Sequence, residues 1–171
     1  VHFVVLNTQF NEMNESYRDE VRNEQMAWLE EDLAATTKPW KVVPMHRDTF
    51  SYPNTKVARM TAGFSDIGEL FMPVFEKYNV DMVLSAHYHM YRRRGHVENF
   101  QRSENGPYYI ITGVAGDVKY AEIWKDHPLD EYVSPYLDGD NYLVLRKDNN
   151  SLTVDAYLAD GTKFDSITLR K

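Results

Sequence analysis

Three histidines in this chain of 171 residues stand where imidazole chemistry is most easily assembled. His87 and His89 lie two apart, directly after Asp81-Met82-Val83-Leu84-Ser85, a run that reads as a buried strand. In extended backbone, residues i and i+2 point to the same side. The two rings are therefore expected to converge on one metal ion or on two adjacent ones. His46 directly follows a second apolar run, Trp40 to Met45. Neutral imidazole is a ligand for zinc, iron and manganese, and ligands in open α/β sheets gather beyond the carboxyl ends of strands. Each group also has an ordinary explanation. A lone histidine after a strand is often a hydrogen-bonded surface residue, and a His-x-His pair arises by chance. Their joint placement at two strand ends favours a metal site. His2, His96 and His127 have no such setting and read as structural or solvent-exposed.

The elements that must position these rings are legible in outline. Val1 to Leu6 reads as a strand already under way, so the chain is expected to be cut from a longer protein. Ser16, with Asp19 three residues on, resembles a capping box. It would open a helix to about Ala35 with Met26, Leu29 and Leu33 on one face. Arg47 to Ser65 lacks periodicity and reads as a long loop, a kind of segment that is often functional. Ser65 is expected to cap a second helix, in which Ile67, Leu70, Phe71, Val74, Phe75 and Tyr78 follow helical spacing. Pro73 lies inside it, which predicts a kink or break near Phe71. Strand, helix, strand, helix, strand is the pattern of parallel α/β units. After a strand over Tyr108 to Thr112 and a long loop to about Asp140, the runs Tyr142 to Arg146, Leu152 to Leu158 and Phe164 to Leu169 read as an antiparallel meander. Asp148-Asn149-Asn150 and Asp160-Gly161 are its turns.

Composition narrows the function classes. Hydrophobic residues make up 43% and charged residues 26%, ordinary for a globular protein that can bury a core. There is no cysteine, hence no disulfide and no thiolate metal site. The formal charge of -7 argues against nucleic acid as a partner. No apolar run approaches the length of a membrane span.

The motifs, taken together, resemble one family. Val43-Pro44-Met45-His46 is similar to the VxxH motif of calcineurin-like metallophosphoesterases, and Ser85-Ala86-His87-Tyr88-His89 to their GHxH motif. The context resembles the purple acid phosphatase branch. Gln25-Met26-Ala27-Trp28-Leu29-Glu30-Glu31-Asp32-Leu33 is similar to its QxxWLxxDL helix. Glu76 to Arg92 follows its EKYxVDxVLSGHxHxYxR segment, and Gly106 to Gly113 its GPxYIxTG strand. The resemblance covers nearly the whole chain.

It implies a fold class: the C-terminal half of a metallophosphoesterase-type α/β sandwich, mostly parallel strands with helices followed by an antiparallel meander. Residues 1–171 would be the C-terminal part of a single domain whose N-terminal part is absent from the chain. It implies hydrolysis of phosphate esters at a dinuclear centre of two divalent or trivalent ions (iron, zinc or manganese). His46 and His87 would bind one ion and His89 the other, with a metal-bound water as nucleophile. The family's early motifs, including the carboxylate that bridges the metals, are not in this chain. Asp66, Asp81 and Asp117 do not stand in the required motifs. The isolated chain is therefore expected to be inactive, with at most partial metal occupancy, and its open face to drive self-association. Two departures support the alternative of a non-catalytic binding or scaffolding module. Ala86 stands where the family has glycine, and the paired substrate histidines after VxxH are absent. In their place the loop offers Arg47, a candidate for substrate phosphate, with Tyr52 and Asn54. Arg92-Arg93-Arg94 reads as a solvated loop. The resemblance also suggests a secreted or cell-surface parent.

Overall fold

The computed structural model describes residues 1–116 and 121–171; Asp117 lies outside them. Four short apolar runs form the centre. Strands β1 (His2–Phe3), β2 (Lys41–Pro44), β5 (Met82–Ser85) and β8 (Tyr108–Ile111) pair in parallel in the order β1-β2-β5-β8. Between β2 and β5 in the chain lies a small antiparallel pair, β3 (Phe50–Ser51) and β4 (Gly63–Phe64). The main sheet continues through β6 (Arg92–Glu98), antiparallel to β8, with β7 (Gln101–Arg102) and β9 (Tyr132–Val133) against β6. Val42 and Val43 are both fully buried. Neighbouring residues on one strand face opposite sides, so this sheet is covered on both faces.

One cover is helical. Helix α1 (Glu15–Ala35) buries Leu29 and Leu33, and its cap is Asn14 rather than Ser16: the Asn14 side chain accepts from the Ser16 amide at 3.0 Å. An asparagine at that position satisfies an otherwise orphaned amide, and Ser16 is already inside the helix. Helix α2 (Asp66–Lys77) is capped by Ser65, whose hydroxyl accepts from the Gly68 amide. It runs on through Pro73, so of the kink or break expected near Phe71 the break does not occur. Pro73 is exposed, so the helix gives up one backbone bond at its solvent side. Ile67, Phe71, Val74 and Phe75 stay buried against Val43, Val83 and Tyr109 of the sheet.

The opposite face carries the meander. Strands β10 (Asn141–Asp148), β11 (Ser151–Leu158) and β12 (Lys163–Arg170) form a separate antiparallel sheet. Leu152, Val154 and Ala156 pack on Val42, Met82, Tyr108 and Ile110. The expected mixed α/β architecture, a mostly parallel sheet with helices and a closing meander, is the observed one.

Two segments differ from the sequence reading. The run Arg92-Arg93-Arg94 is not a solvated loop. It opens β6, where Arg92 is 2% exposed and Arg94 fully buried. Each guanidinium has a carboxylate partner drawn from a distant segment, Asp130 and Asp48 respectively. Long-range partners of that kind leave no trace in local spacing. The loop over 47–65 contains the β3–β4 pair, and Asn54 bridges to Trp124.

Candidate metal centre

The parallel pairing of β2 with β5 brings their carboxyl ends side by side, and the chain leaves both at the same edge. The Met45 amide donates to the Leu84 carbonyl at 2.9 Å, and the Ala86 amide to the His46 carbonyl at 2.9 Å. These bonds hold the two departing loops in register. As a result His46 Nε2 and His87 Nδ1 stand 3.1 Å apart, with ring centroids at 5.0 Å and planes at 78°.

That separation fits a shared ion. Imidazole nitrogens at about 2.0–2.1 Å from one metal, at angles between square and tetrahedral, lie about 2.8–3.4 Å apart. Burial pushes the His87 imidazole pKa below its ordinary value, assisted by the nearby charges of Arg47, His46 and His89. His87 is therefore neutral at neutral pH, the form that offers a lone pair.

The backbone that carries His89 does not follow the path its spacing suggests. The segment after β5 is bent, not extended. His87 has φ 72° and His89 φ 49°, left-handed values that cost a non-glycine residue about 1–2 kcal/mol each. Such conformations persist where surrounding structure imposes them. The i, i+2 argument for a common side therefore does not apply here. Among the described residues, no group of three or more His, Cys, Asp or Glu side chains is arranged to hold a metal. The histidine pair is thus what this chain brings together. A carboxylate is not added to it by Asp81, which lies beyond the other end of β5 and accepts from the Lys41 amide at 2.8 Å.

The loop residues considered for substrate have structural contacts. The Arg47 guanidinium donates to Gln9 Oε1 at 2.7 Å and to Glu12 Oε1 at 3.2 Å, tying the His46 loop to the segment before α1. Tyr52 is fully buried and meets Tyr88 edge-on. Asn54 accepts from the Lys56 and Val57 amides in a turn. Ala86 packs closely against Gly113, where an added Cβ would come within 2.9 Å of the Ala86 Cβ. The remaining histidines are structural, as expected. His2 pairs with Asp32 at 2.5 Å and His96 Nδ1 meets the Gly106 carbonyl at 2.7 Å. His127 uses both ring nitrogens, on the Gly63 carbonyl and the Leu129 amide.

Sequence reasoning missed the layer beneath the histidines. Asp48 and Arg94 form a buried ion pair, and the Ser85 hydroxyl donates to the same Asp48 oxygen at 2.7 Å. The signal was the position of Asp48 and Ser85, each two residues from a candidate ligand.

The structure thus combines a mostly parallel sheet, flanking helices and a meander with paired histidines at the carboxyl edge. No family model matches the chain. Purple acid phosphatase 23 of Arabidopsis thaliana is 28% identical over 132 residues, covering 75% of this chain and 26% of that protein. An acid phosphatase of Aspergillus ficuum is 27% identical over 196 residues, covering 99% and 30%. Among solved structures, purple acid phosphatase PPD1 from yellow lupin superposes with a TM-score of 0.74 at 19% identity, over 98% of this chain and 30% of that one. The relatives this chain matches are a purple acid phosphatase and an acid phosphatase, and its fold is that of the lupin enzyme. It spans less than a third of the length of these relatives. The Plasmodium protein GAP50, an anchor in the inner membrane complex, shares the fold as well, with a TM-score of 0.70 at 15% identity. No described helix is long and apolar enough to cross a membrane.

Proposed function

We propose that this chain is the C-terminal part of a metal-dependent phosphoesterase domain. In this reading His46 and His87 hold one ion and His89 serves a second. The observation that carries it is the 3.1 Å approach of His46 Nε2 and His87 Nδ1 at the carboxyl ends of adjacent parallel strands. Acid phosphatase relatives over most of the chain support the reaction class. When bound, two such ions lower the pKa of a coordinated water and neutralise charge on the transferring phosphoryl group. This chain's own contribution is to orient His46 and His87 through the strand ends and to keep His87 neutral. Arg47, at the same edge, is the candidate to meet substrate phosphate after exchanging its partner Glu12, an exposed ion pair of small worth. The parent would be secreted or at the cell surface, which localisation of a tagged parent protein tests.

The absence of a third converging donor among the described residues favours a second reading, a non-catalytic module with weak metal affinity. In either case the isolated chain should be inactive, because among the described residues no carboxylate joins its histidines. Zinc or manganese titration of the purified chain is expected to show weak binding. His46→Ala or His87→Ala should abolish it and His89→Ala should leave most of it. An aryl phosphate assay of the same material should show no turnover above that of the triple alanine variant. Robust turnover lost in the triple variant would refute the partial-site reading. Activity of the full-length parent separates the enzyme from the module.

A further inference from the structure

The segments that carry the candidate ligands also carry a buried ionic layer. Asp48 and Arg94 are both fully buried, and their ion pair joins the loop after β2 to β6. Ser85, the last residue of β5, donates to Asp48 Oδ1 at 2.7 Å and lies 3.5 Å from the Arg94 guanidinium. Ser65, the α2 cap, donates to the Asp48 carbonyl at 2.7 Å. Arg94 reaches this point because β6 is irregular there. Arg93 pairs with Ile110 and Gly95 with Tyr109, leaving Arg94 outside the ladder, and Gly95 takes φ 73°.

A buried ion pair is weak evidence for stability, since apolar side chains of similar bulk often do as well. It differs from them in being directional. Burial and a charged hydrogen bond permit few arrangements of the three segments that meet here. Two of those segments carry His46 and His87, each two residues from a member of the layer. We propose that Asp48, Arg94 and Ser85 are positioning residues that set the approach of His46 to His87. The proposal rests on the metal-site reading only for its purpose; its geometry is that of the buried ion pair and the two histidine rings.

The test compares the wild-type chain with the Asp48→Leu/Arg94→Met double variant and with Ser85→Ala. The double variant removes both charges together, so neither is left buried alone. The first readouts are metal-free: the thermal midpoint, and the nuclear Overhauser effect between the His46 and His87 rings in histidine-labelled protein. The third is calorimetric titration with zinc. In the double variant we expect a midpoint within about 5 °C of wild type, loss of the ring-to-ring signal, and zinc affinity lower by about tenfold or more. Ser85→Ala should move both site readouts in the same direction by less. A wild-type ring-to-ring signal in the folded double variant overturns the proposal. If that variant does not fold, an unchanged signal in Ser85→Ala overturns it. Should wild type bind no zinc while the variants lose the signal, the metal reading fails and the positioning role stands.

Discussion

At the residue scale, single side chains in this protein are set by what surrounds them more than by their own type. Burial is the first cause that pushes both His87 and His127 below the ordinary imidazole value; neighbouring positive charge adds to it at His87, whereas the Gly63 carbonyl opposes it at His127. Asp155 shows the opposite case. It is 1% exposed in the three-stranded sheet, and its carboxyl is held below the ordinary value first by the Ser166 hydroxyl and then by Arg146. A lowered folded pKa stabilises above the ordinary carboxylate value, about 3.9, and that stabilisation is lost as pH falls through the folded value. Asp155→Asn should therefore be less stable than wild type at pH 6, and the gap should narrow toward pH 3. Urea unfolding at both pH values checks this; a gap that widens in acid would refute it. At this scale the three candidate histidines were legible, because ligand types two apart after an apolar run are a local signal. Asp48 and Arg94 were not, because 46 positions separate them.

Elements are decided by capping, close approach and exposure. α2 begins where Ser65 caps it, and Gly68 in its first turn lies against the Thr49 carbonyl. A Cβ there would come within 2.1 Å of that oxygen. The carbonyl is backbone and cannot swing away. Gly68→Ala should cost about 3 kcal/mol, at the upper end of overpacking costs. Gly63→Ala, whose added Cβ would meet only Ser51 Oγ at 3.6 Å, is the control and should be nearly neutral. Denaturant melts that show equal losses would refute the close-approach account. The helical spacing of α2 was readable, but its tolerance of Pro73 was not. Whether a helical proline breaks the helix depends on which side it faces, and that is settled by packing.

For the whole molecule, the main sheet is covered on two faces and ends in β1 on one side and β7 on the other. β1 is the last strand in the sheet order, with Phe3 53% and Val5 69% exposed. Phe3 lies beside Val42 in the register, so it extends the apolar face on which the meander packs. Open apolar edges invite pairing with another chain. We expect the isolated chain to self-associate, and Phe3→Lys/Val5→Lys to shift it toward monomer without lowering its thermal midpoint by more than about 5 °C. Sedimentation equilibrium measures this. A wild-type chain that stays monomeric at high concentration would refute it.

The amino-acid order by itself determined the alternation of apolar runs and helical stripes, the closing meander and the three histidines at two strand ends. All of these depend on neighbours within a few residues, which share the same local backbone geometry. Tertiary structure alone decided which of those histidines approach each other. It turned the segment after β5 into left-handed conformations, buried two of three consecutive arginines against distant aspartates, and left Phe3 and Val5 exposed at the β1 end of the sheet. Each of these outcomes depends on groups brought together from far apart in the chain, whose desolvation and pairing local spacing does not encode.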